Sequence, residues 1–242
     1  MCTLTYINNN GKRYFTSNRD EHINRPQALL PIEELNGDQL LLYPKDPIAG
    51  GTWFVTSNTG KVAILLNGAY TKHIDKKNYL KSRGLILLEI VKAQNAENYF
   101  EQTNLKETAP FTIVLYFNKQ LLTCIWDGIN KHITILNAAL NYIWSSVTLY
   151  TNCVVMQRQY NFNSFINLAK LNSSTILNFH KQNHNDFENG LIIKRATGMQ
   201  TFSVTQAVVT TNKINFIHEN LHNNTKYQKQ LPLQFQAEFQ IC

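Results

Sequence analysis

The sequence predicts an α+β protein built mostly from antiparallel sheets, and three features predict it. β-like runs are joined by tight-turn signals such as Asn10-Gly11, Asn58-Thr59-Gly60 and Asp127-Gly128. Helical blocks interrupt those runs around residues 83–103 and 154–181. The resulting order of strands, helices, strands, helices and strands shows no internal repeat and no linker of flexible composition. One domain spanning 1–242, with helices covering sheets, is the expected organisation.

Each element has its own justification. Residues 3–7 and 12–17 flank Asn8-Asn9-Asn10-Gly11, and Asn-Gly is the strongest short hairpin signal. Residues 22–37, broken by Pro26, Pro31 and Asn36-Gly37, read as irregular. A short strand over 39–43 follows, then a hairpin of 54–56 and 61–66 that ends at Asn67-Gly68. The crowded apolar residues Ile86, Leu87, Leu88, Ile90 and Val91 predict a buried helix over 83–94, with a second helix over 95–103. A meander of 111–117, 120–126 and 131–136 comes next, followed by a β-like run over 142–150. Helices are expected over 154–170 and 173–181, the latter capped by Asn172 or Ser173. A hairpin of 200–210 and 213–218 closes the pattern. The tail after residue 222 has little periodicity and is expected to be loosely ordered.

A hydrophobic content of 43% with 16% charged residues describes a chain that can bury a core. No apolar run approaches the roughly 18–20 residues of a membrane helix, and the start lacks a secretory pattern, so the expected compartment is the cytoplasm. The net charge of +7 is scattered, apart from Lys72, Lys76, Lys77, Lys81 and Arg83. That basic run suits a solvated loop or an anionic ligand, and no motif points to nucleic acid. Cys2, Cys124, Cys153 and Cys242 are far apart and form no disulfide or metal spacing. Cys124 and Cys153 fall in apolar segments and read as small core residues.

Chemistry concentrates at the start. Removal of Met1 would leave Cys2 as a thiol nucleophile with its own α-amine, whose reference pKa of ~7.7–8.0 lets it act as a base at neutral pH. Folding 3–7 on 12–17 sets position 2 opposite Asn18 or Arg19, so pairing alone delivers Asn18-Arg19-Asp20-Glu21 beside the amino terminus. A second motif, His218-Glu219-Asn220-Leu221-His222, fits the H-E-x-x-H zinc pattern but follows a β-like run, where the helix it requires is not expected. His180 and His184 read as surface histidines at a helix end. No metal or cofactor is expected.

Asn18-Arg19-Asp20-Glu21 is the motif that names the NRDE family, which includes transport and Golgi organisation protein 2, and the chain resembles that family. The companion motifs are Met1-Cys2-Thr3, Arg25-Pro26, Gly50-Gly51-Thr52-Trp53, Leu66-Asn67 and Ser82-Arg83-Gly84. They cover about the first 85 residues, and weaker similarity runs through Trp144-Ser145-Ser146 to Thr151-Asn152. The family is in turn similar to the N-terminal nucleophile hydrolases of the bile-salt hydrolase and penicillin V acylase branch.

That resemblance implies a four-layer αββα sandwich. It implies that Cys2 attacks an amide carbonyl, that Asp20 steadies the nucleophile, and that Asn67 and Asn152 stabilise the oxyanion. Asn18, Arg19, Trp53 and Arg83 are the expected ligand contacts or pocket walls. The partner is then a small-molecule amide or an anionic ligand. The family's links to haem and to acyl-CoA or lipid metabolism imply an alternative, a non-catalytic carrier using the same pocket. The chain departs from the hydrolase pattern at two places. Ser17 stands where the hydrolases carry an arginine, and Thr197-Gly198-Met199-Gln200-Thr201 stands where they carry another, with Arg195 the nearest substitute.

Overall fold

A computed structural model describes residues 3–72 and 79–234. Cys2, Lys76, Lys77 and Cys242 therefore lie outside the described residues. The first hairpin joins β1 (Thr3–Asn9) to β2 (Lys12–His22) through Asn10 and Gly11, both at positive φ as a two-residue turn of this hand requires. The pairing register sets Thr3 against Asn18 and Asn9 against Lys12. β3 (Leu29–Asn36) and β4 (Gln39–Lys45) form a second hairpin, followed by β5 (Phe54–Ser57) and β6 (Val62–Asn67). Helices α1 (Arg83–Lys92) and α2 (Ala96–Gln102) lead into β7 (Phe111–Phe117), β8 (Gln120–Trp126), β9 (Lys131–Leu136) and β10 (Tyr142–Ser145). Helices α3 (Asn152–Leu168) and α4 (Ser173–His180) precede β11 (Met199–Val209), β12 (Lys213–Asn220) and β13 (Thr225–Pro232).

The strands make two antiparallel sheets. One has the order β10-β1-β2-β11-β12-β13, and the other β3-β4-β5-β6-β7-β8-β9. Alternation along each strand sends one set of side chains between the sheets and the other toward helices. Leu4, Tyr6, Phe15, Ala207 and Phe216 face the second sheet, where Phe15 meets Tyr116 at 5.5 Å and Phe216 meets Phe54 at 5.9 Å between ring centroids. Ile7, Tyr14 and Val208 face the other way, onto Phe162 of α3 and Ile176 and Phe179 of α4. Helix α1 buries Ile86, Leu87, Leu88, Ile90 and Val91 against the second sheet, in the same core as Ala63 and Leu65. The result is a four-layer αββα sandwich.

The structure corrects several expectations. The tail after 222 is not loose throughout, because β13 pairs along the whole of β12 from Thr225↔Asn220 to Pro232↔Lys213. Residues 29–36, read as irregular, form edge strand β3, and an edge tolerates Pro31 because no neighbour needs its missing N–H. The run over 142–150 is a strand only to Ser145. Thr151 then caps α3, so Asn152 opens a helix instead of ending a strand. Cys124 is buried as expected, but Cys153 is exposed on the first turn of α3. His180 is fully buried, not a surface histidine. No helix among the described residues is long and apolar enough to cross a membrane.

Candidate functional site

The end of the sandwich where β1 begins carries a polar cluster on each side of the first sheet. On the helix side, Asp20 is 1% exposed and accepts two hydrogen bonds, from the Tyr150 hydroxyl at 2.8 Å and the Thr201 hydroxyl at 2.6 Å. A bulge in β11 between Thr201 and Ser203 makes this possible, since Thr201 pairs with Asp20 while Ser203 pairs with Arg19. The Tyr150 ring lies between two guanidinium groups, Arg158 at 3.6 Å and Arg195 at 5.1 Å from its centroid. Arg195 donates to the Leu149 carbonyl and the Glu188 carbonyl.

Arg158 is the most deeply placed of these cations. It projects from α3, is 3% exposed, and donates to the Thr3 hydroxyl at 2.5 Å, to the Asn189 carbonyl at 3.1 Å and to the Gly190 carbonyl. Among the described residues it has no carboxylate partner, so a buried positive charge sits beside the residue that follows Cys2. Its charge also helps to depress the His180 pKa.

Asn18 serves the same face. Its amide nitrogen donates to the carbonyls of His180 and Leu191, and its oxygen lies 2.5 Å from His180 Nδ1. Since that nitrogen is used twice as a donor, the Asn18 oxygen must accept, which fixes His180 as the neutral Nδ1–H tautomer. His180 Nε2 then accepts from the Thr5 hydroxyl at 2.7 Å. Burial, followed by the Arg158 charge, pushes the His180 pKa down to about 3. The Asn18 side chain, expected to contact a ligand, is spent on holding α4 and the 191 segment to β2.

Between the sheets, the apolar series Phe15, Ala207 and Phe216 gives way at this end to Ser17, Arg19, Ser203, Thr205 and His218. Arg19 is 2% exposed, stacks 4.6 Å from the Trp53 ring centroid, and pairs with Asp46 at 2.9 Å and Glu21 at 3.7 Å. Arg25 grips the same Asp46 at 3.0 Å. Burial lowers the Arg19 pKa, opposed by Glu21 and Asp46. Burial would raise that of Asp46, but hydrogen bonds from Arg25 and the Ala49 N–H and the two arginine charges hold it below the usual carboxylate range. His218 bonds the Thr205 hydroxyl at 2.8 Å, and burial, then Arg19, push its pKa down to about 4.

The remaining expected residues fall around this end. Asn67 closes β6, and its carbonyl accepts from the Ser146 hydroxyl at 2.7 Å, one residue from the Ser145 that pairs with Thr3. Arg83 reaches the Pro110 carbonyl at 3.3 Å, the same oxygen that accepts from the Gly68 N–H. Trp53 is placed by a close crossing of two motifs. A Cβ at Gly84 would lie 2.7 Å from the Thr52 carbonyl oxygen, and one at Gly51 would lie 2.6 Å from the Leu85 nitrogen. The two glycines are small so that the Gly51-Thr52-Trp53 loop can lie against the first turn of α1. Asn152 is exposed two residues beyond Tyr150. Cys2 is outside the described residues.

His218 lies in β12, so Glu219 faces the opposite side of the sheet, pairing with Lys181 at 2.7 Å and Lys226 at 3.3 Å. The H-E-x-x-H spacing therefore brings no two histidines to one helical face. Sequence reasoning missed Tyr150, Arg158, Thr201, Asp46 and Ser203. Tyr150 lay within the weaker similarity that runs to Thr151-Asn152, and Thr201 ended the 197–201 segment that departs from the hydrolase pattern; the other three carried no signal.

An αββα sandwich whose first strand begins among buried polar groups has the fold of the N-terminal nucleophile hydrolases. It is similar to an N-acylethanolamine-hydrolyzing acid amidase ortholog from Caenorhabditis elegans, with a TM-score of 0.60 and 12% identity over 85% of this chain and 92% of that one. It is also similar to a cysteine-to-alanine mutant of conjugated bile acid hydrolase from Clostridium perfringens, with a TM-score of 0.53 and 11% identity over 98% and 97% of the two chains. Among curated protein sequences no relative matches. The family described as Transport and Golgi organisation 2 matches residues 1–151, and the chain belongs to that family.

Proposed function

We propose that the chain is a cysteine amidohydrolase that cleaves a linear amide through an acyl-enzyme. The observation that supports this most directly is the buried Asp20, held by Tyr150 and Thr201 next to the Asn18 that pairs with Thr3. Cys2 precedes Thr3 in the chain, and this carboxylate of fixed orientation is assigned to the amino terminus. The likeness in fold to an acid amidase adds support.

In the proposed reaction, loss of Met1 frees the Cys2 α-amine. The amine takes the thiol proton, and the thiolate attacks the amide carbon. Negative charge moves to the carbonyl oxygen, where the side-chain amides of Asn67 and Asn152 are assigned as donors, a kind of contribution worth a few kcal/mol, about 3. Collapse expels the leaving amine, which takes the proton held by the α-ammonium. Water, deprotonated by the same amine, then hydrolyses the thioester and restores the thiol. Asp20 orients the α-amine, and Arg158 holds the start of β1 in place through Thr3.

Intact mass and a panel of N-acyl amides test this. The expected result is a chain lacking Met1 whose hydrolysis disappears in Cys2→Ala. A retained Met1, or equal turnover by Cys2→Ala, would overturn the hydrolase reading. Spectral titration with haem and acyl-CoA then reads the carrier alternative.

A further inference from the structure

Five buried side-chain polar atoms have no hydrogen-bond partner among the described residues: Arg13 Nε and Gln200 Nε2, and a group of three between the sheets, Arg19 Nη1, Trp53 Nε1 and Ser203 Oγ. The residues of this group of three are 2%, 4% and 3% exposed. They also share one place. Ser203 pairs directly across from Arg19, both point between the sheets by the alternation that sends Phe15, Thr205 and Ala207 there, and the Arg19 Cζ lies 4.6 Å from the Trp53 ring centroid. A buried donor without a partner costs roughly 1–3 kcal/mol, so three at one spot are not an expected feature of an ordinary core. Arg19 Nη1 and Trp53 Nε1 can only donate, and Ser203 can donate. What they require is an acceptor.

The charge around them decides which acceptor. Arg19 and Arg25 are matched by Asp46 and Glu21, with separations of 2.9–3.7 Å. The nearby His218 is held neutral by burial and by Arg19. Among the described residues of this cluster no net positive charge is left over to compensate a desolvated anion, whose burial without a partner is far costlier than that of a neutral dipole. We infer that Arg19 Nη1, Trp53 Nε1 and Ser203 Oγ form a subsite for an uncharged carbonyl oxygen of the ligand, of the amide type, separate from the scissile carbonyl assigned to Asn67 and Asn152. The inference rests on the proposed reading only in taking this end of the sandwich as the place where a substrate enters.

The experiment uses the full-length Cys2→Ala chain, so binding is read without turnover. Hexanamide and hexanoate, equal in carbon skeleton and opposite in charge type, are titrated at pH 7 and followed by ligand-observed NMR. Hexanamide is expected to bind about tenfold tighter than hexanoate. Ser203→Ala should weaken hexanamide about fivefold, since it removes one donor and nearly keeps the shape, and Trp53→Phe should weaken it at least as much, since it removes a donor and part of the ring over Arg19. Thermal melting supplies an independent readout, because Ser203→Ala removes an unpartnered hydroxyl and should leave the melting temperature unchanged or raised. Equal or tighter hexanoate binding overturns the inference. So does failure of both probes to bind, which would make these donors sites for ordered water only, or variants that bind as the parent does. Hexanamide binding without any amide turnover by the parent chain overturns the hydrolase reading and leaves the subsite standing. Turnover with no effect of either variant does the reverse.

Discussion

At the scale of single residues, the site depends on side chains that never touch in sequence. Asp20 is held by Tyr150 and Thr201, residues 130 and 181 positions away, and Arg158 reaches Thr3 across 155 positions. Removing the Tyr150 hydroxyl should loosen the Asp20 carboxylate without emptying the space its ring fills between Arg158 and Arg195. Tyr150→Phe is therefore expected to lose about 1 kcal/mol of stability and, under the proposed hydrolase reading, to lower kcat about tenfold with KM nearly unchanged. An effect confined to KM would remove Tyr150 from the positioning of Asp20. Arg158→Met has a different signature. It strands the Asn189 and Gly190 carbonyls and the Thr3 hydroxyl in a buried place, so urea melts should show a loss of about 3 kcal/mol. A loss below about 1 kcal/mol would mean that water readily takes over those acceptors.

At the scale of elements, the motifs of the first 85 residues turn out to be contacts between elements as much as ligand groups. Gly51 was legible as a motif glycine and Gly84 as part of the expected helix over 83–94, and together they mark the crossing of the Trp53 loop with α1. Gly51→Ala puts a methyl carbon into the Gly84–Leu85 backbone, which has no rotamer with which to yield. A loss of about 2–4 kcal/mol is expected in equilibrium denaturation. A loss under about 0.5 kcal/mol would show that α1 can shift freely away from the loop. The same scale explains which elements the sequence revealed. The β7–β9 meander consists of β-rich, mostly apolar runs bounded by turn signals, and its boundaries coincide with those expected from the pattern. β3 and β13 were missed because both are edge strands whose outward faces are polar or exposed, so neither shows the apolar alternation that betrays a buried strand. The hairpin that delivers residues 18–21 was legible because its register follows from one Asn-Gly turn. The partners of Asp20 were not, because a bulge, a strand end and a helix start must come together first.

At the scale of the whole molecule, two buried neutral histidines tie the sandwich to pH. His180 lies between the first sheet and α4, facing Thr5 and Asn18 with the Arg158 charge nearby. His218 lies between the two sheets, facing Thr205, Trp53 and Arg19. Burial and a neighbouring arginine lower both pKa values in the folded chain, from 6.5 to about 3 for His180 and to about 4 for His218. The unfolded chain therefore binds protons at these positions that the folded chain refuses. Their contribution to stability is complete above pH ~6.5 and is lost progressively as pH falls from there toward the folded values. In the middle of that window each histidine adds a slope of ~1.4 kcal/mol per pH unit, so the pair is expected to remove ~2–3 kcal/mol per unit between about pH 6 and pH 4. Below that, protonation of Asp46, whose arginine partners hold its pKa low, continues the decline. Urea denaturation at intervals from pH 7 to pH 4 measures the slope. His180→Gln should begin less stable at pH 7 and fall less steeply, because His218 still titrates in the window, together with His184, Glu34 and Glu219, whose pKa values are also lowered. A parent chain whose stability is flat from pH 6.5 to pH 4 would show that the two layers do not hold these rings neutral, and that the Nδ1–H tautomer deduced from Asn18 is not what fixes His180.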